Sequence, residues 1–181
     1  MAQLWLSVRK PDEKAKSRRY AVKQLVWHLD EVFVKINEER HYFCRAVDHE
    51  GEVLENYVTK KRDKKAALKF MKKAMRLYGS PNEIVKDRLR SYSAAAKELG
   101  CADNQVTQRW ANNRAENSHL PFRRGERAML RFRRMHSLQK FSSIHASFHN
   151  HFNSQRSLST RSTFKLNRDA ALTEWRSLIA S

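Results

Sequence analysis

The chain has 181 residues, 40% of them apolar, which suits one domain of ordinary size with a real core. Its 37 Lys and Arg against 19 Asp and Glu give a net charge of +18, far beyond what solubility requires, and point to a polyanionic partner with nucleic acid the leading candidate. Two cysteines, Cys44 and Cys101, exclude a disulfide framework or a zinc site built from cysteine alone, and no apolar run is long enough to span a membrane, so a reduced cytoplasm is the expected compartment.

Met1 to Val8 is apolar, but basic residues follow at once from Arg9 to Lys23, a pattern that does not make a signal peptide. From Leu25 to Ile36 apolar residues fall on both parities, which places this strand at the centre of a covered sheet. Asn37-Glu38-Glu39 reads as a hairpin turn, Arg40 to Val47 as a second strand, Asp48 to Gly51 as another turn and Val53 to Thr59 as a third strand. Such short connections predict an antiparallel meander. Ala67, Phe70, Met71, Ala74 and Tyr78 then recur at helical spacing, with Asp63 able to start the helix and Gly79 to stop it. Glu83 to Asp87 is a short strand, Ser91 to Leu99 a capped helix ended by Gly100, and Gln105 to Arg109 a last short strand. The fold class expected is α/β, a mixed five-stranded sheet with three antiparallel strands plus parallel strands, flanked by helices. A right-handed crossover sets the fourth strand parallel beside the first, so that Asp30 and Asp87 end neighbouring strands.

Further along, Trp110 is expected in the core, and Arg123, Arg124, Arg127, Arg131, Arg133 and Arg134 form a dense cluster suited to DNA phosphates. Phe141, Ile144, Phe148 and Phe152 are expected to be the packing face of the next helix. His145, His149 and His151 read as a polar helix face rather than a metal cluster. Ser154 to Thr163 reads as a linker, and Arg168 to Ala180 as a terminal helix with Trp175 and Leu178 inward. Charge follows this layout. Residues 1–29 carry seven cations against two acids, 30–116 carry 18 against 14, and 117–181 carry 12 against three. A nearly balanced middle between basic ends fits a site of acids flanked by phosphate-gripping surfaces. A structural basic binder would spread its charge more evenly.

Asp30, Asp87 and Glu116 are the candidate catalytic and metal-binding residues. Magnesium takes oxygen ligands and keeps waters and substrate phosphates in its shell, so two or three carboxylates suffice to hold it at a phosphodiester. Without metal, three converging acids should raise one another's pKa.

These residues lie in stretches that carry a resemblance: Trp27-His28-Leu29-Asp30-Glu31-Val32-Phe33-Val34, Tyr42 to Asp48, Leu89-Arg90-Ser91-Tyr92, and Trp110-Ala111-Asn112-Asn113-Arg114-Ala115-Glu116-Asn117-Ser118-His119. From Val26 to Ser181 the chain resembles bacterial DDE insertion-sequence transposases of the short, replicative, cointegrate-forming class, and the Asn-Asn-Arg-x-Glu-Asn motif is the most specific part. The resemblance implies an RNase H-like core and an acid triad dependent on Mg2+ or Mn2+. Asp30 would bridge two metals, with Asp87 and Glu116 each completing one. It further implies that Arg123, seven residues after Glu116, contacts DNA from the catalytic helix, although Pro121 should kink that helix. The implied chemistry is cleavage at an element's end followed by attack of the freed 3′-hydroxyl on target DNA. Double-stranded DNA is the implied partner, and a homodimer is expected by analogy.

Two features depart from that family. Residues 1–24 form a basic arm too short for the helix-turn-helix that reads terminal repeats, so an N-terminally truncated member is expected, with the catalytic core at 25–155 and a linker and helix at 156–181. Lys86 and Arg88 replace the Thr and Gly that flank the second aspartate, and two cations there should oppose metal binding. The competing expectation is a decayed copy that binds DNA nonspecifically and does no chemistry.

Overall fold

Strand β1 (Val26–Ile36) has apolar residues on both faces, and both are covered. Trp27 and Leu29 pack on one side with Phe70, Met71, Tyr92 and Ala95, while Val34 and Ile36 pack on the other with Phe122, Phe132 and Leu138. The computed structural model describes residues 26–87, 90–106, 112–128, 132–152 and 160–180, without the side chains of 178 and 179.

Around β1 the sheet is built from β2 (Glu39–Val47), β3 (Val53–Thr59), β4 (Glu83–Lys86) and β5 (Gln105–Val106), in the order β3-β2-β1-β4-β5. The first three strands are antiparallel, and β4 and β5 run parallel to β1. The β1–β2 turn places Asn37 and Glu38 both at positive φ, 50° and 64°, the backbone of a two-residue hairpin that follows the strand twist. Helices α1 (Lys64–Tyr78) and α2 (Arg90–Glu98) cover one face of the sheet. Asp63 caps α1 by accepting from the Ala66 N–H at 2.8 Å, and Gly79, at φ 83°, closes it.

Helix α3 (Asn113–Ala128) and helix α4 (Met135–Phe152) lie on the other face, and α5 (Arg161–Ala180) packs on α4. Beyond Leu29, β1 has outrun β4, and α3 with its following segment takes over that flank. The Arg123 guanidinium donates to the Phe33 carbonyl, Phe132 bridges to Ile36, and the Asn37 side-chain amide donates to the Arg133 carbonyl at 2.8 Å. This stitching fixes α3 against the strand that carries Asp30.

The packing face expected for α4 holds at Phe141, which packs on Phe122 and Phe132, but is otherwise corrected. Its buried positions are Leu138, Ser142 and Ala146, whereas Phe148 is 51% exposed. Small residues let α4 approach β3 closely enough for two side-chain amides to pair with the open strand edge. Gln139 accepts from the Val58 N–H at 2.8 Å and donates to the Asn56 carbonyl at 2.9 Å, while Asn150 exchanges two 2.8 Å bonds with Val53. An otherwise unpaired edge is thereby satisfied and shielded from other strands. Phe148 and Phe152 instead meet Trp175 of α5. That last helix begins at Arg161, seven residues before the expected start, with Thr160 accepting from the Thr163 N–H at 3.2 Å. Trp110, the strand residues 107–109 and residues 154–159 of the expected linker lie outside the described residues.

Candidate functional site

The parallel register of β1 and β4 ends at the pair Leu29 and Lys86, so Asp30 and Asp87 are the next residue on each of two neighbouring strands. Asp30 is 7% exposed, whereas Asp87 is exposed. Asn112, buried at the start of α3, ties the middle of β1 to the residue just past β4. Its side-chain amide donates to the Leu29 carbonyl at 2.9 Å and makes a long 3.5 Å contact with Asp87 Oδ1. One turn on, Glu116 is exposed in the first turn of α3, its N–H bonded to the Asn112 carbonyl at 3.2 Å.

Three residues past Glu116, the buried His119 ring sets Nε2 3.2 Å from Asp30 Oδ2. Behind Asp30, its cross-strand partner Arg45 is wholly buried. Arg45 Nε donates to Asn56 Oδ1 at 2.9 Å, its Nη1 donates to the Ser118 carbonyl, and its guanidinium lies over the rings of Phe43 and Phe122. Burial pushes the Asp30 carboxyl up, but contact with His119, the Glu31 backbone N–H and the Arg45 charge outweigh it and leave the pKa below the ordinary value. The mutual elevation expected of an acid cluster is therefore corrected for Asp30, because two cationic or potentially cationic groups stand beside it. Burial, aided by the Arg45 charge and resisted by Asp30, pushes His119 down. At neutral pH the pair is thus a carboxylate beside a neutral imidazole.

Burial and Arg45 act alike on two further imidazoles. His145 is pushed down to about 4 and His149 is lowered, in each case by burial first and the Arg45 charge second. Neither lies on an open polar face. His145 packs against Phe122 and Phe141, and the two imidazoles stack 6.2 Å apart. The consequence for stability has a definite sign. A histidine whose folded pKa is depressed is neutral in both states above about 6.5 and opposes folding as protons bind the unfolded chain below that. Stability should fall from pH 7 to pH 5, read as a lower denaturant midpoint, and His145→Leu should flatten that fall. An equally steep fall in the variant would remove His145 from the cause.

Of the arginines expected at DNA, Arg124, Arg127, Arg133 and Arg134 are exposed. Arg123 shares α3 with Glu116, and the helix runs through Pro121, but its guanidinium is engaged by Phe33 and by Glu126 at 2.6 Å. Arg131 lies outside the described residues. Lys86 is partly drawn away from the acids, although its charge still acts on Asp87. It shares the face of Leu29, and its Nζ donates to Ser93 on α2 at 2.8 Å, across the sheet from His119. Burial pushes its pKa down, partly offset by Asp87. Arg88 lies outside the described residues.

Sequence reasoning quoted Asn112 and His119 only as parts of a motif, and it missed Arg45. A signal for Arg45 was present: a lone arginine between Cys44 and Ala46 in an apolar strand opposite Asp30. The donor set at the two strand ends is carboxylate oxygen, which suits a hard ion such as magnesium and not a thiolate-seeking one. Around Asp30, Arg45 Nη2 and Asn112 Oδ1 are buried without hydrogen-bond partners among the described residues, and the His119 nitrogens lack a well-aligned one there. A site with such unmet polar capacity fits a further ligand. Among the described residues, no three His, Cys, Asp or Glu side chains are drawn together closely enough to hold a metal ion.

A mixed sheet in the order β3-β2-β1-β4-β5, with helices on both faces, is an RNase H-like arrangement, and it sets Asp30, inside β1, beside Asp87, just past the end of β4. Matches to known proteins agree. The family described as "DDE domain" matches residues 24–155, and the chain belongs to this family of insertion-sequence DDE transposase domains. It is 31% identical over 98 residues to the transposase for insertion sequence-like element IS431mec of Staphylococcus aureus, covering 51% of this chain and 44% of the relative. The chain thus spans under half the length of that relative. Among solved structures, the HTLV-2 integrase catalytic core domain in complex with magnesium (trimeric form) has a TM-score of 0.54 at 15% identity, covering 78% of this chain and 95% of that one. The catalytic core domain of BIV integrase has a TM-score of 0.53 at 13% identity, covering 84% and 99%. These likenesses establish the fold. No helix among the described residues is long and apolar enough to cross a membrane.

Proposed function

We propose that this chain is the catalytic core of an insertion-sequence transposase that cuts and joins DNA strands with a divalent metal, acting on double-stranded DNA in the bacterial cytoplasm. The observation that carries this reading is the placement of Asp30 and Asp87 side by side where the parallel pairing of β1 and β4 stops, tied by Asn112 at the start of the helix that bears Glu116. Asp30, Asp87 and Glu116 would hold Mg2+ or Mn2+, and the bound metal would supply charge neutralisation at the phosphoryl group and a more acidic nucleophile. His119 and Arg45 are positioning residues that keep Asp30 ionised and fixed. In cleavage, water oxygen bonds to phosphorus as the bond to the 3′-oxygen breaks, and that oxygen gains a proton. In joining, the 3′-hydroxyl loses its proton and attacks a target phosphodiester, whose own 3′-oxygen departs and is protonated. Arg124, Arg127, Arg133 and Arg134, with Arg131, would grip phosphates, while Arg123 mainly braces α3. Pairing of two DNA ends would call for a dimer.

The second reading is a copy that binds DNA without chemistry, and what favours it is that no three ligand side chains are gathered among the described residues. Calorimetric titration of magnesium or manganese separates the two. Catalytic competence predicts binding by the wild type that Asp87→Asn removes. A folded wild type that takes up neither ion would leave the binding-only reading.

A further inference from the structure

Helix α1 carries six cations, Lys64, Lys65, Lys69, Lys72, Lys73 and Arg76, and no acid. Among the described residues, two of the six have ion-pair partners: Lys64 meets Glu98 of α2 at 2.6 Å, and Lys73 meets Glu55 of β3 at 2.9 Å. Lys65, Lys69, Lys72 and Arg76 follow one another at four-, three- and four-residue steps, so they form one stripe about 16 Å long, and all four are exposed. Glu98 also feels Lys72, Lys69 lies 5.6 Å from the Tyr57 ring, and the carboxylate of Asp63 is taken by the Ala66 N–H. Just ahead of the helix Lys61 is exposed as well, whereas Lys60 pairs with Glu39 at 3.3 Å and Arg62 with Glu31 at 2.6 Å.

Such a stripe is not an ordinary solvated face, which interleaves both signs. Here the neighbours at three and four residues repel one another, and Lys64 and Lys65 sit at the positive end of the helix dipole. The helix tolerates this because Ala67, Phe70, Met71 and Ala74 anchor it in the core. Those same residues rule out a membrane-lying helix, since the apolar face is already buried in the protein. A second copy docking here would set cation against cation. The remaining match in charge and length is a nucleic-acid backbone, whose phosphates repeat along a comparable span.

Position decides what such binding would accomplish. α1 covers the sheet face that holds Trp27 and Leu29, whereas Asp30 reaches His119 on the opposite face. We infer that the outer face of α1 is a second duplex-DNA site, separated by the sheet from the candidate catalytic centre, so that one chain holds two DNA segments at once. That the first segment lies at the acids rests on the proposed function; the α1 site itself does not.

The test is to replace Lys65, Lys69, Lys72 and Arg76 together by Gln and count 16-base-pair duplexes bound per chain by sedimentation with labelled DNA in excess. Two per chain is expected for the wild type and for Asp30→Asn, and one for the stripe variant. The salt slope of total binding should shallow by about three to four, one counterion set per lost phosphate contact. Relief of repulsion should leave the melting temperature equal or higher, which shows that the variant is folded. Unchanged stoichiometry, complete loss of duplex binding, or an effect confined to anionic phosphatidylserine vesicles would each overturn the proposal. Failure of strand cleavage alongside a two-to-one drop would instead fault the catalytic reading and leave this one standing.

Discussion

Asp30→Asn should abolish metal-dependent strand cleavage and joining while leaving duplex affinity equal or slightly higher. The substitution removes a buried carboxylate whose neighbours hold it ionised, and with it a negative charge that phosphate must otherwise approach. Loss of partners that merely orient a metal ligand costs about 10- to 100-fold, so loss of the ligand itself should exceed about 100-fold. His119→Gln should fall between, because it spares every carboxylate and disturbs the 3.2 Å contact that orients Asp30 together with the edge-on packing against Phe43. The measurement is conversion of a labelled oligonucleotide duplex with magnesium, with affinity from anisotropy and folding from circular dichroism. Wild-type turnover by a folded Asp30→Asn protein would remove Asp30 from the chemistry.

The parts of this fold that were legible in the sequence are those in which local and tertiary signals agree. The three-strand meander has apolar residues on both parities of β1 and short turn-rich connections, and α1 has a capping aspartate, a terminal glycine and a regular apolar stripe. Those elements lie where periodicity puts them. Beyond Phe141, the face of α4 was misread because aromatic residues weigh more in a helical pattern than Ser142 and Ala146. Close approach of a helix to a strand edge selects small residues and amides, a demand that exists only once β3 is in place. The adjacency of Asp30 and Asp87 followed from crossover topology. What surrounds Asp30 did not, because a cross-strand neighbour and a helix three residues past Glu116 come together only in the folded chain. Lys86 shows the same gap in reverse. Beside Asp87 in sequence it reads only as an electrostatic obstacle, but strand alternation also turns it to Ser93 on the far side of the sheet while its charge still acts on Asp87.

Arg45→Met should be the most destabilising single change among the residues around the site, by about 3–5 kcal/mol, the usual effect of breaking a buried charge network from one side. Methionine fills much of the volume between Phe43 and Phe122, yet it leaves Asn56 Oδ1 and the Ser118 carbonyl without their donor and Asp30 without its cross-strand cation. Arg45→Lys should recover only part of the loss, because an ammonium cannot span both acceptors as the guanidinium fork does. Burial lowers the Arg45 pKa to about 9, with Asp30 opposing, so the guanidinium remains charged at neutral pH. That charge also depresses His119, His145 and His149. Removing it should let the three imidazoles titrate nearer their ordinary value, so the loss of stability between pH 7 and pH 5 should be smaller in Arg45→Met than in the wild type. Denaturant midpoints for both proteins at the two pH values test both statements. A large loss at pH 7 with an unchanged pH difference would mean that Arg45 supports α3 by packing and hydrogen bonds alone. A small loss at pH 7 would mean that Asp30 is stabilised by some other cation.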